Sequence, residues 1–284
     1  MLLVIDIGNS SVSCGVFEVD SVKNTYMLRY DFKITTKVMS SDEYALLINN
    51  FLCIKNISAS PASAYSSSMC DVHDGAIVDH AAVASVVPEL TDTLVRAAEL
   101  LTGNKPFVVS SGIRTGLGIR INSPQQLGAD IVANAAFAVD TAKAPLVILD
   151  VGTATTITVV DPDKNILGTI IMPGLRVSLA ALSGSAAQLN DVALTFPREL
   201  IGRDSAESVQ SGVLCGHLLM IDGFLRNIRE QYPALTASDK LSLLSTGGLA
   251  EYIVPHLRNK FDNHPSMTLY GIAKLYMLNT GRIQ

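Results

Sequence analysis

Two short segments of this chain carry residue types suited to holding phosphate. Val4-Ile5-Asp6-Ile7-Gly8-Asn9-Ser10-Ser11 and Ile148-Leu149-Asp150-Val151-Gly152-Thr153-Ala154-Thr155 each pass from an apolar stretch through Asp-x-Gly into small polar residues. Glycine tolerates positive φ and lets a ligand come close to the backbone. Successive N–H groups, joined by the Asn9, Ser10, Ser11, Thr153 and Thr155 side chains, can cradle phosphate oxygens. A carboxylate at the strand end repels phosphate directly, so Asp6 and Asp150 make sense as holders of a cation that bridges to it. Asp-x-Gly alone is a commonplace turn. The weight lies in the matched pair, 144 residues apart, each copy followed by another β-prone run (Val12 to Phe17, Thr156 to Val160). A third element, Ser245-Thr246-Gly247-Gly248-Leu249-Ala250, follows an apolar run and reads as the adenosine side, with a nucleotide resting on a helix N-terminus.

The elements that must position these turns are legible from apolar runs and helix signals. Strands are expected at Leu2–Ile7, Ser11–Val19, Ala81–Val87, Pro106–Val109, Leu146–Leu149, Thr155–Val160, Ile166–Ile171 and Leu241–Ser245. Ser40 and Glu43 fit a capping box opening a helix through about Ile54. Further helices are expected from Pro88 to Leu101, Pro124 to Ala142, Leu175 to Gln188 and Ser205 to Gln231, with a last pair after Gly248. Strands mixed with helices throughout give an α/β class. The glycine-rich loop after Val109 suggests a division into domains 1–115 and 116–284, with the last helix able to pack back on the first. Two similar halves facing each other would set the two Asp-x-Gly turns across an interdomain cleft.

Bulk properties narrow the function classes. The 284 residues are 48 % hydrophobic and 17 % charged, an ordinary globular balance. Net charge is −5 with no basic run, so the electrostatic footprint of a nucleic-acid or anionic-membrane binder is missing. No apolar run approaches the roughly 20 residues of a membrane helix. The N-terminal apolar run breaks at Asp6, too early for a signal peptide, which points to the cytoplasm. Cys14, Cys53, Cys70 and Cys215 form no close pair and read as reduced and structural. Cys70-Asp71-Val72-His73-Asp74 holds metal-ligand types but lies in a Ser-rich stretch and reads as a solvated loop.

The doubled turn resembles the actin/hexokinase type of α/β phosphotransferase, and the motifs in order resemble type III pantothenate kinases of the acetate and sugar kinase/Hsp70/actin superfamily. Asp6-Ile7-Gly8-Asn9-Ser10 matches that family's D-x-G-N-T, and Ser85-Val86-Val87-Pro88 its S-V-V-P. Gly128-Ala129-Asp130 matches the start of G-A-D-R, Asp150 to Thr156 matches D-F-G-T-A-T-T, and Pro173-Gly174 ends G-G-x-I-x-P-G. Gln210-Ser211-Gly212 and Thr246 to Ala250 also fit. The resemblance implies two similar actin/ribonuclease H-like domains and ATP-dependent phosphorylation of pantothenate, the first step towards coenzyme A. It implies ATP with Mg²⁺, an activating K⁺ or NH₄⁺, and a homodimer. By position it makes Asp130 the general base. It assigns Asp6, Ile7, Gly8, Asn9, Ser10, Ser11, Val12, Ser13 and Thr153 to ATP, with Asp6 reaching Mg²⁺ through the phosphates. Asp150 takes the monovalent cation, and Gly128, Ala129, Asp130, Ile131 and Ser205 line the pantothenate site. Departures fall on the acid-substrate half: Ile131 replaces the family's Arg, Ile121 a Tyr, and Thr169 a Gly, while Asp204-Ser205 stands for N-T. Arg120, Arg176 and Arg203 are the candidate replacement cations. The altered half leaves open a kinase or phosphatase of the same fold acting on another small hydroxy acid, or a non-catalytic relative.

Overall fold

A computed structural model describes residues 1–20, 25–59, 76–110, 112–185, 192–236 and 241–281. The chain opens with β1 (Leu2–Ile7), β2 (Ser11–Asp20) and β3 (Thr25–Thr35), then α1 (Ser41–Ile54), β4 (Ile57–Ala59), β5 (Ala76–Val78), β6 (His80–Ser85) and α2 (Pro88–Thr102). After β7 (Phe107–Val108) and β8 (Gly118–Ile119) come α3 (Ala129–Thr141), β9 (Leu146–Val151), β10 (Ala154–Val160), β11 (Asn165–Pro173) and α4 (Leu175–Ser185). The remainder is α5 (Ser205–Gln210), a π-helical turn at Ser211–Cys215, α6 (Gly216–Gln231), α7 (Pro233–Thr236), β12 (Ser242–Thr246), α8 (Ala250–Ile253), β13 (Asp262–Asn263) and α9 (Met267–Asn279).

Two compact units result, and neither is continuous in sequence. One comprises 1–117, 122–137 and 267–284; the other comprises 118–121 and 138–266. The sequence reading instead has a single cut after residue 115, with the last helix able to pack back on the first domain. A chain segment joins whichever core its apolar face can bury, and α9 packs on β1 and β6 of the first unit.

The internal repeat is carried by topology. The first unit's sheet has the order β3-β2-β1-β6-β7, with β1 antiparallel to β2, β2 antiparallel to β3, and β1, β6 and β7 parallel. The second unit repeats it as β11-β10-β9-β12-β13 with the same orientations, extended by β8 beyond β11. Each copy also carries one register shift between its second and third strands, at Val16/Phe17 and at Val159/Val160. This is the doubled ribonuclease H-like α/β arrangement expected from the turns.

In the first unit Leu3, Ile5 and Ile7 of β1 face Tyr44 and Ile48 of α1 and Leu94 of α2. Leu2 and Val4 face Val132 and Ala133 of α3 and Ile272 and Ala273 of α9. Alternation along β1 therefore sets Asp6 on the α3/α9 side. In the second unit Val147, Leu149, Val151 and Ile157 pack with Val213, Ile221 and Leu225 from the long helix.

Several expectations are corrected. The helix expected from Pro124 is broken: Pro124–Gln126 forms one 3-10 turn, Leu127 is extended, and α3 starts only at Ala129. The strand ending at Val87 stops at Ser85, because Ser85 Oγ accepts the Val87 N–H (3.1 Å) and turns the chain into α2. β3, β4, β5, β8 and β13 were not foreseen. Helical residues Ser205–Gln231 form the one stretch, among the described residues, long and apolar enough to cross a membrane. It buries His217, Ile221, Leu225 and Ile228 in the second unit, as a core helix does. Cys53 is disulfide-bonded rather than reduced, while Cys14 and Cys215 are free. Distance in sequence does not bound distance in space. The Cys70–Asp74 segment and the end of the Leu175–Gln188 helix lie outside the described residues.

Candidate active site

Both Asp-x-Gly segments form the tight link between a first and a second strand. Gly8 N–H donates to Ser11 C=O (3.1 Å) and Gly152 N–H to Ala154 C=O (3.1 Å). Four residues separate the paired Ile7 and Val12, but only three separate Val151 and Thr155, so the second turn is one residue shorter. The two aspartates occupy equivalent places. Asp6 pairs across to Ser13 and alongside Ala84, and Asp150 pairs across to Thr156 and alongside Thr246. Of the Asp6–Ser13 run, Ile7 and Val12 are fully buried, so their side chains shape the turn while Asn9 and Ser10 stand exposed. Thr36, which the sequence reading missed, fastens the first turn: its N–H donates to Ser10 C=O (3.2 Å) and its Oγ1 to Gly8 C=O (2.7 Å).

Asp130 belongs to the same unit as Asp6. Val86 N–H donates to Ile7 C=O at the end of β1 (3.0 Å). A Cβ built on Gly128 would lie 3.6 Å from Val86 Cγ1 and 2.4 Å from Asp130 Oδ1. Gly128 is thus the residue that leaves room for the Asp130 carboxylate. Ile131 N–H donates to Asp130 Oδ1 (2.8 Å), which fixes the carboxylate's orientation. Burial pushes the Asp130 carboxyl above the ordinary carboxylate range, against the opposing pull of the Ile131 and Asp130 amides. Because α3 begins at Ala129, Asp130 also lies in its first turn, where a carboxylate favours the helix. The sequence reading put the helix start at Pro124 and so set this helix-stabilising role aside. Ile131 itself is buried, 8 % exposed.

In the second unit the Gly152–Thr153 turn is enclosed by two other glycines. A Cβ on Gly174 would lie 2.3 Å from Thr153 O and 2.5 Å from Gly152 O. Gly247, at φ +98°, would bring one to 2.5 Å from Asp150 Oδ1 and 2.6 Å from Val151 N and C. The Gly-Gly segment thus acts by close approach to Asp150. The helix after it is only four residues long, too short to act as the anion-binding N-terminus expected from sequence.

Ser205 lines an open pocket of about 590 Å³ with Leu182, Arg203, Asp204 and Ser208, all of the second unit. Gln210 Nε2 donates to Ala193 C=O (3.1 Å) and Thr195 Oγ1 (2.9 Å), and Ser211 Oγ donates to Leu200 C=O, so Gln210-Ser211 tethers the segment leading to this pocket. Arg203 is 78 % exposed and pairs with Glu199 (2.9 Å), while Arg120 and Arg176 are exposed. Thr155, read from sequence as a phosphate-facing hydroxyl, is instead fully buried, its Oγ1 2.9 Å from His217 Nε2, a contact the sequence did not suggest. A lone histidine in an apolar helix gives no sequence signal. Among the described residues no three His, Cys, Asp or Glu side chains converge as a metal site. A single carboxylate beside each turn suits a cation shared with substrate phosphates rather than an all-protein cage.

A family model described as type III pantothenate kinase matches residues 2–227. The chain belongs to the type III pantothenate kinase family. The type III pantothenate kinase of Shouchella clausii is 34 % identical over 280 residues, covering 98 % of this chain and all of the relative. That of Agathobacter rectalis is 32 % identical over 277 residues, covering 97 % and 96 %. A conserved Baf family protein from Campylobacter jejuni shares the fold of this kinase at TM-score 0.58 and 16 % identity, over 98 % of this chain and 99 % of that one.

Proposed function

We propose that this kinase transfers the γ-phosphoryl group of ATP to pantothenate, with Asp130 as the base. The observation that carries the reading is the oriented Asp130 carboxylate in the niche left by Gly128, in a family member with both Asp-x-Gly turns intact. Phosphoryl transfer asks mainly for positioning and charge neutralisation. The Asp6–Ser13 and Gly152–Thr153 turns offer backbone N–H groups and hydroxyls to the phosphates. Asp6 would hold Mg²⁺ through the phosphates, where it would supply charge neutralisation, and Asp150 would hold K⁺ or NH₄⁺. Asp130 orients the attacking hydroxyl and takes its proton late. A raised pKa brings this base nearer the working pH. Ile131 contributes its amide to Asp130, and its buried side chain offers the substrate carboxylate no charge. Ser205 lies on the pantothenate side.

The same reading takes the kinase as a cytoplasmic homodimer. The test is ATP consumption with pantothenate beside a panel of hydroxy acids, with and without K⁺, and with the phosphorylated product identified by mass. Turnover of another hydroxy acid in preference to pantothenate would replace the acceptor, and failure of every acceptor would remove the reading. Light scattering and cell fractionation check the dimer and the compartment.

A further inference from the structure

Thr155 is the first residue of β10 to pair back to β9, directly after the Gly152–Thr153 turn. Its side chain points into the second unit's core beside Val151 and Ile157, and it is 0 % exposed. A hydroxyl in such a place needs a partner. His217, 1 % exposed, supplies it at 2.9 Å. Burial holds the imidazole below its ordinary pKa, in the neutral form that bonds a hydroxyl through either tautomer. The π-helical turn at Ser211–Cys215 explains how one helix reaches both partners. An inserted residue turns the following helix by about 100°. Gln210, just before it, and Ser211, its first residue, bind the 193–200 segment, and His217, after it, meets Thr155. Such turns recur at functional sites.

We propose that His217 is a positioning residue for ATP: through Thr155 Oγ1 it holds the Gly152–Thr153 turn in its phosphate-binding shape. This rests on the reading that the turn holds phosphate. The bond contributes to the turn's shape and not to the acceptor side, so its loss falls on one substrate.

The experiment compares kcat and the KM values for ATP and pantothenate in folded wild type, His217→Leu, His217→Gln, Thr155→Val and Thr155→Ser. A neutral hydrogen bond corresponds to about a 2- to 12-fold change in an equilibrium. His217→Leu and Thr155→Val are each expected to raise the ATP KM by about three- to tenfold and to change the pantothenate KM less than twofold. The double variant is expected to be no worse than the worse single. Thr155→Ser and His217→Gln are expected to recover most of the loss. Thr155→Val is nearly isosteric and carries the test should His217→Leu fail to fold. An unchanged ATP KM in folded Thr155→Val overturns the proposal, as does an equal rise for both substrates. Asp150→Asn separates the two levels. If it leaves ATP KM and K⁺ response intact, the turn is not the site and the proposal falls with it; if it impairs them while Thr155→Val does not, only the proposal falls.

Discussion

Replacing Gly247 by Ala tests the assembly of the second turn at a single atom. The backbone there has φ +98°, and the added methyl would lie 2.5 Å from Asp150 Oδ1 and 2.6 Å from both N and C of Val151. Two of these neighbours are backbone of a central strand, so no side-chain rotation relieves them. The strained φ costs about 1–3 kcal/mol. Overpacking adds about 1–3 kcal/mol. For chains of roughly this size 1 kcal/mol moves Tm by about 2–4 °C, so a fall of roughly 5–20 °C is expected. The strand can yield only by displacing Asp150, so the KM for ATP and the response to K⁺ should deteriorate together with Tm. Gly248→Ala is the internal control: it has no positive φ and open space around it, and should melt within about 3 °C of wild type. Thermal melts by circular dichroism, with ATP kinetics on the same samples, read both. A Gly247→Ala protein that melts with wild type and keeps its ATP KM would refute the close-approach argument.

Asp130→Asn should slow turnover by about two to four orders of magnitude with nucleotide binding kept. It should also raise Tm at pH 7. The folded carboxyl titrates above its unfolded value of 3.8, so its favourable contribution exists only below 3.8 and is lost as pH rises through the folded pKa; the gain from Asn should vanish near pH 3. Gly271→Ala would drive a methyl to 1.9 Å from Ala133 O in α3, so about 1–3 kcal/mol of stability and part of kcat should be lost together, checked by melts and initial rates. His217 titrates below its unfolded 6.5, so its contribution is complete above pH 6.5 and is lost as pH falls towards the folded pKa; His217→Gln should flatten the Tm difference between pH 7.5 and 5.5.

The repeat was legible because period-2 and buried-strand patterns flank both Asp-x-Gly segments, and the topology repeats with them. The Ser40–Glu43 capping box was equally local and forms as expected. What sequence hid was non-local. β3 is half-exposed and mixed in polarity, so its pattern is weak until β2 lies beside it. The true start of α3 depends on Gly128 fitting against Asp130 and Val86, which no propensity encodes. The π-helical turn and the Thr155–His217 contact follow from packing between elements some 60 residues apart. The return of residues 122–137 to the first unit was hidden for the same reason: a segment's partner is chosen by its buried face, not by its place in the chain.

The last helix has a consequence for the order in which the molecule becomes competent. Gly271 lies against Ala133, Thr268 Oγ1 donates to Asn134 Oδ1 (2.8 Å), and Lys274 Nζ donates to Ala136 C=O (2.7 Å), all three partners on α3, which carries Asp130 in its first turn. A nascent chain emerges from its N-terminus, so the first unit's sheet leaves the ribosome long before the helix that clamps Asp130's own. The proposed base is therefore set in place only after α9 has followed β1, β6 and α3 off the ribosome. A chain that stops short of Met267 would carry both Asp-x-Gly turns with the proposed base unseated, and is expected to hold nucleotide without turning it over.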